Sequence, residues 1–171
     1  MRKIIFGLLG SVFLCLLFSS CVTFLVASTI KKQSVSNDIK TEITGKGYPL
    51  VITYLDTYSP NSAGGIDVEL VFINLSEQKL KYVFFDLIPY NAVDDVVADT
   101  ITKKAKATLK VTGPVKSNEK QPAVRTYDNV WWNSEIRKAK VTGIRVTFMD
   151  DTSISYDETQ SQEMCKSFYK K

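Results

Sequence analysis

Ser117-Asn118-Glu119-Lys120 and Ser76-Glu77-Gln78-Lys79 each place a lysine three residues after a serine. In penicillin-binding enzymes that spacing puts both side chains on one helix face, where a base can take the hydroxyl proton. Neither segment here reads as a helix. The first lies between Gly113-Pro114 and Pro122, and the second joins two apolar runs, so both are expected to be solvated turns. Asn91, Asp94, Asp95 and Asp99 supply oxygen ligands of the kind calcium takes, but their spacing does not follow a calcium loop. They read as an acidic loop or short edge strand whose charge discourages stray strand pairing. No metal or other cofactor is expected. Asp150-Asp151 reads as a hairpin turn, and Asn74-Leu75-Ser76, a glycosylation sequon by pattern, reads as another turn.

The chain contains no histidine. That removes the Ser-His-Asp and Cys-His arrangements, imidazole zinc ligands and the commonest general base. Carboxylate or Ser-Lys chemistry is the remote remainder, and the chain is expected not to be an enzyme. Without Arg2 and Lys3 the balance is 20 basic against 18 acidic residues, which gives no ground for nucleic acid as a partner.

Those candidates must be held by elements, and the N-terminal stretch is not one of them. Arg2-Lys3 precedes an uncharged apolar run, and Ser19-Ser20-Cys21 resembles the lipobox of bacterial lipoproteins, in which Cys21 would carry the lipid. The run from 4 to 30 has no charge until Lys31-Lys32, so it is also long enough to span a bilayer uncut. A lipoprotein signal over 1–21, an uncleaved anchor over 4–30 and an ordinary cleaved signal near Ala27 all remain open. Each favours a globular part outside the cytoplasm, and the first two tether it to the membrane, by lipid or by helix. Residues 22–46 read as linker or stalk, 47–157 as the domain and 158–171 as a tail that either forms a short helix or frays. Cys165 is the one cysteine outside the leader, so no disulfide framework is expected within the fold.

The domain is organised around residues 80–91. Val83, Phe85 and Leu87 alternate with Tyr82, Phe84 and Asp86, which sends the first three to one face of a strand. Leu50–Thr57 and 66–74 precede it as strands, the second with Ile66, Val68, Leu70 and Phe72 on one face. There Val71 and Ile73, also apolar, blur the assignment. Strands are further expected over 108–112, ending at Gly113-Pro114, over 124–132, over 143–149 and over 152–156. In 124–132 either Trp131 or Trp132 could face inward. About seven short strands with no convincing helix between them make an all-β antiparallel sandwich.

Lys81-Tyr82-Val83-Phe84-Phe85, Pro89-Tyr90-Asn91-Ala92-Val93, Gly113-Pro114, Asn129-Val130-Trp131-Trp132-Asn133 and Phe148-Met149-Asp150 follow one another along the chain. In this order they resemble the small immunoglobulin-like domains of bacterial lipoproteins and anchored envelope proteins, similar in kind to FxLYD modules. The resemblance spans about 70–156. Asp94 and Asp151 stand where glycine is expected in such loops, and aspartate also tolerates those turns. The resemblance implies an immunoglobulin-like sandwich and carries no catalytic residues.

Residues 101–145 hold eleven basic side chains against three acidic ones, a balance of +8, while residues 65–99 stand at −5. Lys103, Lys104, Lys106 and Lys110 are the candidate residues facing an anionic partner; solvation of exposed strands is the plainer account. Tyr127, Trp131 and Trp132, among these bases, are expected in the core more than on a platform. The functional expectation is a membrane-tethered interaction module with a protein or anionic envelope partner. A structural subunit of an envelope complex is the alternative.

Overall fold

A computed structural model describes residues 35–118 and 120–165. Helix α1 (Asn37–Gly45) leads into strands β1 (Leu50–Thr57), β2 (Gly65–Asn74), β3 (Leu80–Tyr90), β4 (Ala107–Val115), β5 (Lys120–Trp132), β6 (Lys138–Phe148) and β7 (Ser153–Tyr156), and helix α2 (Glu158–Met164) closes the described chain. The strands form two antiparallel sheets, ordered β1-β2-β5 and β4-β3-β6-β7, arranged as a sandwich. Among the described residues no helix is long and apolar enough to cross a membrane, and the apolar run 4–30 with Cys21 lies outside them.

The alternation in β3 settles its faces. Val83, Phe85 and Leu87 are fully buried. Val83 is paired with Val111 and Val146, and Phe85 with Leu109 and Ile144, so apolar rows run across three strands. Phe72 of β2 meets Phe85 with ring centroids 5.3 Å apart and joins the two sheets at the centre of the core. Trp131 is the inward tryptophan, and its indole N–H donates to the Ala105 carbonyl at 2.8 Å.

Three expectations are corrected. Residues 22–46 are not all linker, because α1 occupies 37–45 and packs on the outer face of β1 and β2. Ile43, fully buried, forms a second small core with Val51 and Ile73, flanked by Val35 and Ile39. The blurred alternation at Ile73 follows from this: α1 covers that end of the second face of β2, whose other end carries Asp67 and Glu69. Second, Gly113-Pro114 does not end its strand. β4 continues to Val115 opposite a register shift at Leu80/Tyr82. A Cβ on Gly113 would meet the Leu80 carbonyl oxygen at 2.2 Å, so only glycine fits that close pass.

The third correction concerns the tail, which takes the helical one of its two expected forms but packs into the domain. Asp157 and Gln160 form a capping box that starts α2. The helix packs against β6, where Gln162 Nε2 donates to the Val141 carbonyl at 2.5 Å. Glu163 accepts from Lys46 Nζ at 3.1 Å and from the Tyr48 hydroxyl at 3.0 Å, which ties α2 to the turn after α1. Met164 and Cys165 enter the main core. Burial pushes the free Cys165 thiol up to about 12, so it is inert in the folded protein. Cys165→Ser places a hydroxyl among apolar neighbours and is expected to cost ~1–3 kcal/mol. Urea unfolding checks this, and a variant as stable as the parent would return Cys165 to an exposed tail.

Candidate functional site

Cross-strand pairing that buries one set of β3 side chains presents the other set to solvent. Phe84 is paired with Lys110 of β4 and with Arg145 of β6, and Arg145 in turn with Ser155 of β7. Tyr82 is flanked in the same way by Thr112 and Thr147, and Asp86 by Thr108 and Gly143. These three rows form the outer face of the four-stranded sheet.

The cations on this face lie over the rings. The Arg145 guanidinium carbon is 4.3 Å from the Phe84 centroid, and Lys110 Nζ is 4.2 Å from the Tyr82 centroid. Such contacts hold a positive charge at a ring face without neutralising it. Neither Lys110 nor Arg145 forms an ion pair with a carboxylate among the described residues. Beside them a depression of about 310 Å³ is lined by Phe84, Asp86, Lys106, Arg145, Ser155 and Tyr156, among others. Gly143 forms part of its floor, and a Cβ there would crowd Asp86 Oδ2 at 3.3 Å.

Asp86 is the acid of this depression. Burial would raise its carboxyl, but hydrogen bonds from Lys106 (2.8 Å) and Thr108 (2.6 Å), with the charges of Lys106 and Arg145, hold it below the usual range. An ionised carboxylate so stabilised is a weak base and holds no proton to donate at neutral pH. The arrangement can bind; it is poorly suited to proton transfer.

The four lysines singled out by sequence do not form one patch. Lys106 and Lys110 border this face. Lys103 lies in the loop before β4, at a φ of 61°, with its Nζ donating to the Thr100 carbonyl, and Lys104 follows it in the same exposed loop. The acidic and basic blocks also interleave in space, because β3 runs between β4 and β6. Lys106 pairs with Asp86, and Lys138 (2.7 Å) and Lys140 (3.6 Å) pair with Asp94. The linear split of +8 and −5 is therefore partly neutralised within the fold.

No protein-family model matches the chain. No curated protein matches it either.

The remaining candidates are occupied by structural roles. Asn91 Oδ1 accepts from the Val93 and Asp95 amides and closes the acidic loop. Asp99, 3 % exposed, accepts three backbone amides, from Ile101, Thr102 and Trp132. Among the described residues no group of three or more Cys, Asp or Glu side chains could hold a metal ion. Ser76 sits in a turn, where its hydroxyl donates within the 74–78 loop, and Ser117 sits in the turn before β5. Asn74 is buried with its amide donating to the Gln78 and Val115 carbonyls, so it is a structural residue of that loop. Asp94 and Asp151 adopt φ of 68° and 67°, the left-handed conformation that favours glycine. The platform of Tyr82 and Phe84 was not singled out in the sequence. Its signal was present: two aromatics on the solvent side of a strand whose other side is fully apolar.

Proposed function

We propose that this chain is a membrane-tethered, non-enzymatic interaction module of the cell envelope, with its domain outside the cytoplasm. The observation that carries the reading is the solvent-facing row Lys110–Phe84–Arg145, two cations held over aromatic rings. The outer face of a half-solvated antiparallel sheet is mostly polar, and neighbouring half-buried rings set between cations give it a surface on which a partner can rest. The ionised Asp86 and the absence of histidine support a binding role over catalysis.

The immunoglobulin-like, FxLYD-like form of the sandwich belongs to the same proposal. The order β1-β2-β5 against β4-β3-β6-β7 supports it, differing from the constant-type immunoglobulin order in that the fourth strand joins the third. The tether rests on Cys21, or on the apolar run 4–30.

Two measurements test the proposal. Palmitate labelling is expected for the parent and absent from Cys21→Ala; an unlabelled parent whose mass retains residues 1–20 would make the tether a transmembrane helix. A pull-down of intact protein from its native membrane is expected to retain a partner that Lys110→Gln/Arg145→Gln loses. Equal recovery by parent and variant would assign the partner to another surface.

A further inference from the structure

We infer that the outer face of the four-stranded sheet binds an acidic polysaccharide, a sugar chain bearing carboxylate or phosphate groups, laid across the row Lys110–Phe84–Arg145. This rests on the reading of the chain as an interaction module and names the class of its partner.

The charge comes first. Lys106, Lys110 and Arg145 face solvent around a single carboxylate, Asp86, so the face is positive even after the Lys106–Asp86 pair is formed. Lys110 and Arg145 stand on strands either side of β3, roughly 10 Å apart by strand spacing. An anionic chain crossing the sheet meets both. Arg145 offers a planar fork to a carboxylate or phosphate, and Lys110 offers a point charge.

The rings between the cations suit a sugar. Tyr82 and Phe84 lie 6.3 Å apart and are half-buried, leaving apolar surface on which the C–H face of a pyranose can rest. Thr112, Thr147, Ser153 and Ser155 surround them with hydroxyls that both donate and accept. The depression beside Phe84, about 310 Å³, is at the small end of ligand-binding clefts. It offers Lys106 and Arg145 as donors and Asp86 as an ionised acceptor.

That mixture separates a sugar from the other anions. A lipid surface is gripped by protruding apolar side chains. Of the exposed large apolar residues among those described, Tyr58, Val93, Val96 and Ile101 lie in loops outside the four strands of this sheet, and Met149 lies in the turn after β6, at the edge of the face. Ile154 pairs with Val146, on the core side of the sheet. Against an acidic protein Asp86 would be a repelling charge, whereas sugar hydroxyls donate to it while the acid groups meet the cations.

The full-length protein in non-ionic detergent is to be titrated with polygalacturonate, with phosphorylated dextran, with neutral methyl-esterified polygalacturonate, and with vesicles containing phosphatidylglycerol. Binding is expected to at least one acidic polymer and to be absent for the neutral ester. It should weaken as salt rises from 0.1 to 1 M, where the Debye length falls from ~10 to ~3 Å. Lys110→Gln/Arg145→Gln, which removes both charges and shortens both side chains while keeping them polar, is expected to weaken binding about tenfold or more. Lys79→Gln, in the exposed 75–79 turn, is expected to leave it unchanged. Indifference to both acidic polymers overturns the proposal, as does equal binding by the double variant or a preference for the vesicles. If the polymers fail while the native-membrane pull-down still yields a face-dependent protein, only the polysaccharide falls; failure of both removes the module reading as well.

Discussion

Phe85→Ala is expected to lower the unfolding free energy by ~3–5 kcal/mol, a large share of the ~5–15 kcal/mol that holds a domain folded. The ring is fully buried, packs on Phe72 across the two sheets at 5.3 Å, and lies between Leu109 and Ile144 within its own sheet. Truncation removes contacts to both layers at once, and strands on either side hold the backbone apart, so the space cannot close. Glu77→Ala, at an exposed turn position before β3, is expected to change stability by less than about 0.5 kcal/mol. Urea unfolding of the two variants gives the comparison. Equal midpoints would mean that β3 is not the centre of the core.

Asp99→Ala is expected to cost ~3 kcal/mol, although the residue lies in a loop, because its buried carboxylate gathers three backbone amides. Oδ1 accepts from Ile101 (2.9 Å) and Thr102 (2.5 Å), and Oδ2 accepts from Trp132 (2.5 Å), so one side chain closes the loop before β4 onto the end of β5. Burial would raise its carboxyl, but the amides of Thr102 and Trp132 outweigh that and hold it below the ordinary aspartate range. The sign of the pH dependence follows. A carboxylate with a depressed folded-state pKa stabilises above the unfolded value, about 4, and loses that contribution as pH falls through the folded value. The parent should therefore weaken below about pH 4, and Asp99→Ala should show a smaller part of that fall. Asp99→Asn keeps one acceptor oxygen and is expected to lose about half as much as the alanine variant. Parallel pH profiles for parent and Asp99→Ala would show that the carboxylate is not bound as described.

The face of Lys110, Phe84 and Arg145 adds a functional side to β3. The same strand that centres the core through Phe85 presents Phe84 to solvent, one residue away. Any substitution in β3 therefore has to be tested for stability before binding is read from it. Gln substitutions at Lys110 and Arg145, which lie on the neighbouring strands and are exposed, avoid that confusion.

Local alternation determined much of this protein. Period-2 patterning in β3 placed Val83, Phe85 and Leu87 inward, because a pleated strand alternates its faces whatever it pairs with. The strand count and the turn at Asp150-Asp151 were legible for the same reason: each depends on a few neighbouring residues. Helix α1 was also written locally, in Val35 just before the Ser36 cap and Ile39 and Ile43 after it, each four apart, but three apolar residues in a polar stretch are a weak signal until a partner surface is known. What only the tertiary structure decided is who meets whom. The apolar Ile73 on the second face of β2 is explained by α1 covering that end of the strand, and the choice of Trp131 over Trp132 by the register of β5 on β2. The bases after residue 100 and the acids before it look like separate blocks along the chain. Strand order places β3 between β4 and β6, so Asp86 meets Lys106, and Arg145 and Lys110 come to flank Phe84. Charge along a chain adds up by position, whereas charge on a sheet adds up by neighbour. Those neighbours were chosen by pairing between strands distant in sequence, which no local pattern encodes.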